Sequence, residues 1–137
     1  MTVLSVRDLS KAYGGVQAVH RVSFSVAAGE LLAMIGPNRA GKTTCLNMLN
    51  GQVTPDTGQI EFEGRSLAGL APRDIWRLGV GRTFQITATF GSMSVRENVR
   101  LALLSHHRRL WSLSALAARG EVEEANALLA RVGMLEQ

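Results

Sequence analysis

The sequence has little of what marks several common classes of protein. Only one of its 137 residues is cysteine, Cys45, so no disulfide can form within the chain. No uninterrupted apolar stretch approaches the ~18 residues of a transmembrane helix. The N-terminus, Met1–Asp8, also lacks the basic and apolar regions of a signal peptide. We therefore expect a cytoplasmic protein in which Cys45 is a small buried residue.

The chain also has no strong charge of one sign. Its 15 basic and 11 acidic residues give a net charge of +4, and the basic residues are spread along the sequence. This composition does not indicate a nucleic-acid partner. A chain of 137 residues with 46% hydrophobic content can bury one core, so we expect one domain at most.

The strongest positive signal is the segment Gly36–Thr44, which fits the phosphate-binding pattern G-x-x-x-x-G-K-[ST]. Before it, Leu31–Ile35 has the length and apolar character of a parallel strand buried on both faces. After it, Thr43–Asn50 has helical spacing. A loop between such a strand and helix directs backbone N–H groups and the positive helix end at an anion. The pattern predicts a nucleotide phosphate site, and a glycine-rich turn without a ligand is the alternative.

The residue types in this loop predict separate roles. Gly36 and Gly41 allow the backbone to approach the phosphates. Lys42 would reach the β- and γ-phosphates as a point charge, and the Thr43 hydroxyl would bind Mg²⁺. The complete predicted phosphate site consists of Gly36, Pro37, Asn38, Arg39, Ala40, Gly41, Lys42, Thr43 and Thr44.

Alternating apolar residues and turn-forming residues predict the elements around the loop. Tyr13-Gly14-Gly15 is expected to bridge the first two strands, and Thr54–Gly58 has the composition of a turn. The predicted elements are strands at Val3–Leu9, Val16–Val26 and Gln59–Gly64, a short helix at Pro72–Leu78 and a strand at Gly79–Gln85.

From residue 94 the sequence predicts helices. Ser94–Glu97 fits a capping box, and His106–Arg109 ends the first helix as a solvated basic segment rather than a metal site. A second helix is predicted from Glu121 to Val132, with Gly133 as its cap. The predicted apolar faces are Val95, Val99, Ala102 and Leu103 in the first helix and Val122, Ala125, Leu128 and Val132 in the second. Glu121, Glu123 and Glu124 are expected on a solvated face.

Taken in order, these features resemble the ATP-binding subunit of an ABC transporter. The resemblance rests on Tyr13, Gly36–Thr44, Arg82–Gln85 and Ser94–Val99, and it covers essentially the whole chain. Arg82–Gln85, followed by Phe90 and Ser94–Asn98, is most similar to the subunits that energise uptake of branched-chain amino acids and related amides.

The resemblance implies an α/β fold, a P-loop NTPase core with an N-terminal antiparallel β subdomain and the start of a helical subdomain. Residues 1–85 would form the nucleotide-binding core, in which antiparallel strands lie beside a parallel core strand. Residues 86–137 would begin the helical subdomain. The expected chain is thus a partial ABC ATPase domain.

The resemblance also implies ligands and roles. Tyr13 would stack on the adenine ring of ATP, and the Gln85 amide would complete the Mg²⁺ shell beside Thr43. Lys42 and Gln85 would then be the catalytic residues. The alternatives are that Tyr13 packs on the rim of the sheet and that Gln85 is an ordinary loop amide.

Partners follow from the same resemblance. The segment Ile86–Met93 would line a groove for a short coupling helix of a membrane permease subunit, and a second ATPase subunit would complete a dimer. The subunit would then lie on the inner face of the cell membrane. Alternatively, Phe90 and Met93 belong to a local core.

The sequence departs from the family pattern at Arg39, where these proteins usually carry glycine. If this position has a positive φ, a side chain there costs of order 1 kcal/mol in strain. An approach of the guanidinium to the triphosphate or to the facing subunit would offset this strain. We expect nucleotide binding to survive but to be weakened.

A second departure concerns motifs for hydrolysis. The sequence has no Leu-Ser-Gly-Gly-Gln-like signature, no apolar strand ending in Asp-Glu and no switch histidine. Hydrolysis needs a group that orients water beside the γ-phosphate. We expect a truncated transport ATPase that binds nucleotide at most and whose Leu31–Ile35 run is partly exposed. A non-hydrolysing nucleotide-binding module and a soluble, non-transport ABC ATPase are the alternatives.

Overall fold

The computed structural model describes residues 1–83, 89–109 and 115–134, with the backbone alone at 115–119. The chain divides into two compact units, Met1–Thr83 and Phe84–Gln137. The elements of the first unit are β1 (Thr2–Tyr13), β2 (Val16–Ala27), α1 (Lys42–Leu49), β3 (Thr57–Phe62), β4 (Arg65–Ser66) and α2 (Pro72–Arg77). The second unit contains α3 (Val95–His106) and α4 (Ala115–Arg131).

The sheet of the first unit is antiparallel, with strand order β2-β1-β3-β4. Val6 of β1 lies opposite Phe24 on one side and Ile60 on the other. The β1–β2 hairpin closes through Gly14 and Gly15, which have φ of 52° and 86°. Two positive φ values are what a type I′ hairpin turn requires, and glycine adopts them without strain. The predicted N-terminal antiparallel β subdomain is confirmed.

One core joins this sheet to α1 and α2. Leu9 is fully buried in the sheet, Cys45 and Met48 come from α1, and Ile75 comes from α2. Burying a side chain of this size contributes roughly 1.5–3 kcal/mol. Burial also raises the pKa of the Cys45 thiol, which confirms its prediction as a small core residue. The core comprises Val6, Leu9, Val19, Cys45, Met48, Ile60, Leu67 and Ile75.

The second unit begins with the predicted capping box. The Ser94 hydroxyl accepts the Glu97 N–H at 3.2 Å, and the Glu97 carboxylate accepts the Ser94 N–H at 2.7 Å. These bonds satisfy N–H groups that have no partner within the helix. Leu103 is the buried member of the predicted α3 face, whereas Val95 is 38% exposed.

The predicted faces of the second helix are only partly right: Ala125 is buried and Glu123 and Glu124 are exposed, as expected. Among the described side chains of α4, the buried ones are Glu121, Ala125 and Leu129, whereas Val132 is exposed. Spacing alone placed Ala125 correctly but did not distinguish Glu121 and Leu129 from the adjacent positions Val122 and Leu128. Glu121 is 2% exposed rather than solvated, and the Arg109 guanidinium lies 3.7 Å from its carboxylate.

Two predicted strands are also absent from the described residues. Leu31–Ile35 has no strand pairing, and the segment Gly79–Thr83 has none either. Phe84 and Gln85, the end of the second predicted strand, lie outside the described residues. A parallel core strand needs hydrogen-bonding neighbours, and none of the described strands pairs with residues 31–35. Within the described ranges, every helix is too short or too polar to cross a bilayer.

Candidate functional site

The predicted phosphate loop is closed by Lys42, the first residue of α1. Its Nζ donates to the carbonyl oxygens of Gly36 and Pro37 at 2.6 and 2.7 Å. The Ala40 N–H donates to the Pro37 carbonyl at 3.2 Å, which tightens the same turn. The ammonium group therefore lies inside the curve of the loop, where a phosphate oxygen would compete with the two carbonyls for it.

The start of α1 suits an anion. Gly41 is the N-cap with φ of 80°, and its carbonyl accepts the Cys45 N–H at 2.8 Å. The first turn contains no acidic residue, so the positive end of the helix is not neutralised. Thr43 is exposed at this end of the helix. The unneutralised N–H groups can donate to a phosphate, and the oxygen of the exposed hydroxyl can bind a cation that accompanies it.

Gly41 is also a contact between the loop and the sheet. A Cβ added there would lie 2.1 Å from the carbonyl oxygen of Ala18 in β2. Glycine is thus required at this position both for its positive φ and for its close approach to the strand. Strand β2 thereby fixes where the loop enters α1.

Arg39 occupies the left-handed region, with φ of 68°. A non-glycine residue is strained at this positive φ, as expected from the sequence for this position. The side chain is exposed and lines the same cavity as Lys42. Two cations therefore border one small cavity.

This cavity has a volume of about 350 Å³, within the usual range for a small-molecule site. Its lining consists of a glycine N-cap, two cations, two hydroxyls and the start of a helix, which together fit a triphosphate. Thr43 supplies an oxygen of the kind that Mg²⁺ prefers. Gln85, the second predicted magnesium ligand, lies outside the described residues. The lining residues are Ala18, Asn38, Arg39, Ala40, Gly41, Lys42, Thr43 and Thr44.

Tyr13, the predicted base-stacking residue, ends β1 in the same unit as the loop. It is 48% exposed, so a large part of its ring remains available for contact. Lys11 lies with its Nζ 5.6 Å from the ring centroid. Sequence reasoning did not single out Lys11, because a lysine two residues from an aromatic has no motif of its own.

Arg82 has a contact that the sequence did not predict. Its guanidinium donates to the Asn47 side chain on α1 and, at 3.3 Å, to Gln52 just beyond it. The residues before Gln85 in sequence are thereby held to the helix that begins at the phosphate loop. Pairing across 35 residues leaves no local pattern in the sequence.

The second unit contains a separate apolar groove of about 770 Å³. Phe90 and Met93, at 56% and 40% exposed, lie on its wall and do not form a local core. The Asn98 amide holds this wall, because it accepts the Phe90 N–H at 2.9 Å and donates to the Ser94 carbonyl at 3.0 Å. Other lining residues include Thr89, Gly91, Val95, Val99, Leu101 and Ala102.

Known proteins resemble this chain in sequence and in fold. The family model described as ABC transporter matches residues 19–137. The chain is 38% identical, over 98% of its length and 55% of the relative, to the high-affinity branched-chain amino acid transport ATP-binding protein LivG of Salmonella typhimurium. It is 41% identical, over 79% of its length and 41% of the relative, to the corresponding protein BraF of Pseudomonas aeruginosa.

Among solved structures, one similar chain is the ADP conformation of MJ1267, an ATP-binding cassette of an ABC transporter. The TM-score is 0.80 at 28% identity, covering 98% of this chain and 55% of that one. The chain therefore spans about half the length of the relatives it matches, and its α/β architecture is that of their N-terminal portion.

Proposed function

The chain belongs to the ABC transporter family, and from this premise we propose that it is the nucleotide-binding part of an ATP-binding subunit that drives uptake of branched-chain amino acids. The observation that carries the proposal is the loop Gly36–Thr44 curved around the Lys42 ammonium at the start of α1. The names of the relatives support the class of transported molecule.

Each part of the loop has a role in the proposal. The N–H groups of the loop and of the first turn of α1 hold the triphosphate of ATP. Lys42 leaves the carbonyls of Gly36 and Pro37 for the β- and γ-phosphates, and Tyr13 stacks on the adenine. The full set of proposed contacts is Tyr13, Gly36, Pro37, Asn38, Arg39, Ala40, Gly41, Lys42, Thr43 and Thr44.

Mg²⁺ would be held by the Thr43 hydroxyl, the Gln85 amide and phosphate oxygens, since it prefers a few protein oxygens beside those of the nucleotide. When bound, it neutralises charge on the phosphates. The proposed catalytic residues are Lys42, which would contact the reacting phosphate, and Gln85, which would complete the Mg²⁺ shell beside it. Arg39 adds a second positive charge to the cavity at the expense of backbone strain.

The groove of the second unit is the proposed contact for a membrane permease subunit. Its apolar wall at Phe90 and Met93 is exposed, as a docking surface for an apolar helix requires. With a second ATPase subunit, the assembly would lie on the cytoplasmic face of the membrane. In this scheme residues 1–85 bind nucleotide and residues 86–137 begin the helical subdomain.

Titration calorimetry with Mg-ATP tests the proposal on these 137 residues, with Lys42→Ala as the variant and phosphate release measured in the same samples. We expect Lys42-dependent binding without phosphate release, because the sequence carries no Asp-Glu strand or signature loop. Arg65→Ala is the matched control, since Arg65 is an exposed cation of the same unit outside the cavity.

The possible results separate the alternatives. If Lys42→Ala binds Mg-ATP as tightly as the unaltered chain, the proposed role of the loop in phosphate binding is refuted. Phosphate release dependent on Lys42 would show that the chain has turnover of its own and would refute the non-hydrolysing expectation. If the groove variant Phe90→Asp co-purifies with permease subunits as efficiently as the unaltered chain, the groove is not the permease contact. If the unaltered chain does not co-purify with permease subunits, a soluble ABC ATPase is favoured over a transport subunit.

A further inference from the structure

A network of described side chains ties the segment after α1 to the tip of the β1–β2 hairpin. Asp56 precedes β3 and accepts two hydrogen bonds, from Lys11 Nζ at 2.6 Å and from the Ala12 N–H at 2.8 Å. Its own N–H donates to the Ser10 carbonyl at 2.9 Å. One aspartate therefore binds three consecutive residues of β1, immediately before Tyr13.

The carboxylate fixes the direction in which Lys11 extends. A lysine side chain ordinarily moves among many rotamers, but this one is 18% exposed and bonded at its end. Its Nζ lies 5.6 Å from the centroid of the Tyr13 ring, within the range of a cation–π contact. One face of the ring is thereby occupied, and the residue remains 48% exposed.

We propose that Lys11 and Asp56 are positioning residues, which hold the Tyr13 ring so that its free face stacks on the nucleobase. The inference rests on the proposed function, in which Tyr13 contacts adenine. Asp56 lies seven residues beyond the end of α1, so the polypeptide that begins at the phosphate loop also orients the base-stacking residue.

A positioning role of Lys11 can be distinguished from simple stabilisation of the hairpin, because the two affect different parts of the bound nucleotide. A positioning role concerns the nucleobase alone, whereas a general electrostatic role of Lys11 would attract any polyphosphate. Inorganic tripolyphosphate shares the phosphates of ATP and lacks the base. The ratio of the two affinities therefore reports on Tyr13 and is insensitive to loss of folded protein.

The experiment measures Kd for Mg-ATP and for Mg-tripolyphosphate with the unaltered chain, Lys11→Met and Tyr13→Ala. We expect Lys11→Met to weaken ATP binding by about fivefold, from loss of an oriented stacking face, and to leave tripolyphosphate unchanged. Lys11→Met should have no further effect when Tyr13 is already alanine. Lys11→Arg keeps a cation for Asp56 and should restore most of the ATP affinity.

Arg7→Met is the matched control. Arg7 is also a cation of β1 that pairs with a carboxylate of a neighbouring strand, Glu61 at 3.8 Å, but it lies away from Tyr13. We expect it to leave both affinities unchanged.

Three results would overturn the inference: unchanged ATP binding in Lys11→Met, equal loss for both ligands, or effects of Lys11→Met and Tyr13→Ala that simply add. The proposed function fails in a different way, if the unaltered chain binds neither ligand or if Lys42→Ala binds both as well. In that case the inference falls with it.

Discussion

The sheet and the segment that leads into the phosphate loop belong to the same unit but differ in how they are completed. Strand β1 is paired on both sides, and Leu9 within it is 0% exposed. The apolar segment Leu31–Ile35 has no pairing among the described strands, and Leu31 is 97% exposed. Similar apolar residues thus have opposite environments in one unit.

The difference follows from strand direction. Antiparallel neighbours come from nearby sequence through short turns such as Gly14-Gly15, so the sheet is complete within 66 residues. A parallel strand requires a neighbour delivered by a long crossover connection. The proposed site lies across this divide, because Tyr13 stands on the paired sheet and Gly36–Thr44 follows the unpaired segment.

The largest expected effect contrasts Leu9→Ala with Leu31→Ala. Removal of the fully buried Leu9 side chain should lower the free energy of unfolding by about 3 kcal/mol, through lost burial and a residual cavity. The same change at Leu31 should stay within about 0.5 kcal/mol, since its side chain already lies in solvent. Urea denaturation followed by circular dichroism measures both. A similar loss at the two sites would mean that Leu31 is buried in solution.

The next effect concerns the contact between the two regions. Gly41→Ala should cost about 2 kcal/mol and abolish ATP binding, because its Cβ would lie 2.1 Å from the Ala18 carbonyl oxygen at a φ of +80°. Gly29→Ala is the control. Gly29 has a similar φ of +77° but open space around it, so that variant isolates backbone strain. If both variants lose equal stability and binding, the approach of the loop to β2 has no importance.

A smaller effect is expected from Arg39→Gly. Glycine adopts the φ of +68° without strain, which favours a pre-organised loop and should strengthen ATP binding severalfold. The free energy of unfolding should change by about 1 kcal/mol or less, since glycine also gains entropy in the unfolded chain. Calorimetric titration with ATP measures the affinity. Equal or weaker binding by the glycine variant would reject the strain argument.

Arg39→Ala separates charge from strain, because alanine retains the unfavourable φ but removes the guanidinium. Weaker ATP binding by this variant than by the unaltered chain would mean that the guanidinium contributes to triphosphate binding. Stronger or equal binding would mean that Arg39 only costs affinity.

The sequence predictions succeeded or failed according to whether the interacting residues are close together in sequence. Hairpin strands, the capping box at Ser94–Glu97 and the α1 helix were predictable, because each depends on residues close together in sequence. The strand at Leu31–Ile35 was not, because its pairing depends on partners far along the chain. The buried Glu121 was missed for a related reason, since its environment comes from Arg109 and α3 rather than from its own helix.

The same distinction applies to the candidate site. The phosphate loop was predictable from one local motif, and its geometry at Lys42 follows that motif. The Lys11–Asp56 pair was not predictable, because 45 residues separate its partners. The link from Arg82 to Asn47 spans 35 residues and was missed for the same reason.

The smallest expected effect is a pH dependence of the stability that Asp56 gives to the paired sheet. The Lys11 ammonium, followed by the Ala12 N–H, holds the pKa of Asp56 below its usual value. Because the pKa is lowered on folding, the stabilisation is complete above the unfolded pKa of about 3.9 and is lost as the pH falls through the lower folded value. Asp56→Asn should therefore destabilise the chain at pH 7 and approach the unaltered chain in strongly acidic solution.

This difference is measured by comparing the urea midpoint of Asp56→Asn with that of the unaltered chain from pH 7 downward. Glu97→Gln gives the comparison in the second unit, where the Ser94 N–H and then the Ser94 hydroxyl lower the pKa of Glu97. A gap that does not narrow with acid would show that the Asp56 charge is unimportant and that its hydrogen bonds alone hold the hairpin. In that event the ion pair of Asp56 with Lys11 would not be the source of the stabilisation, and the electrostatic part of the Tyr13 network would be wrong.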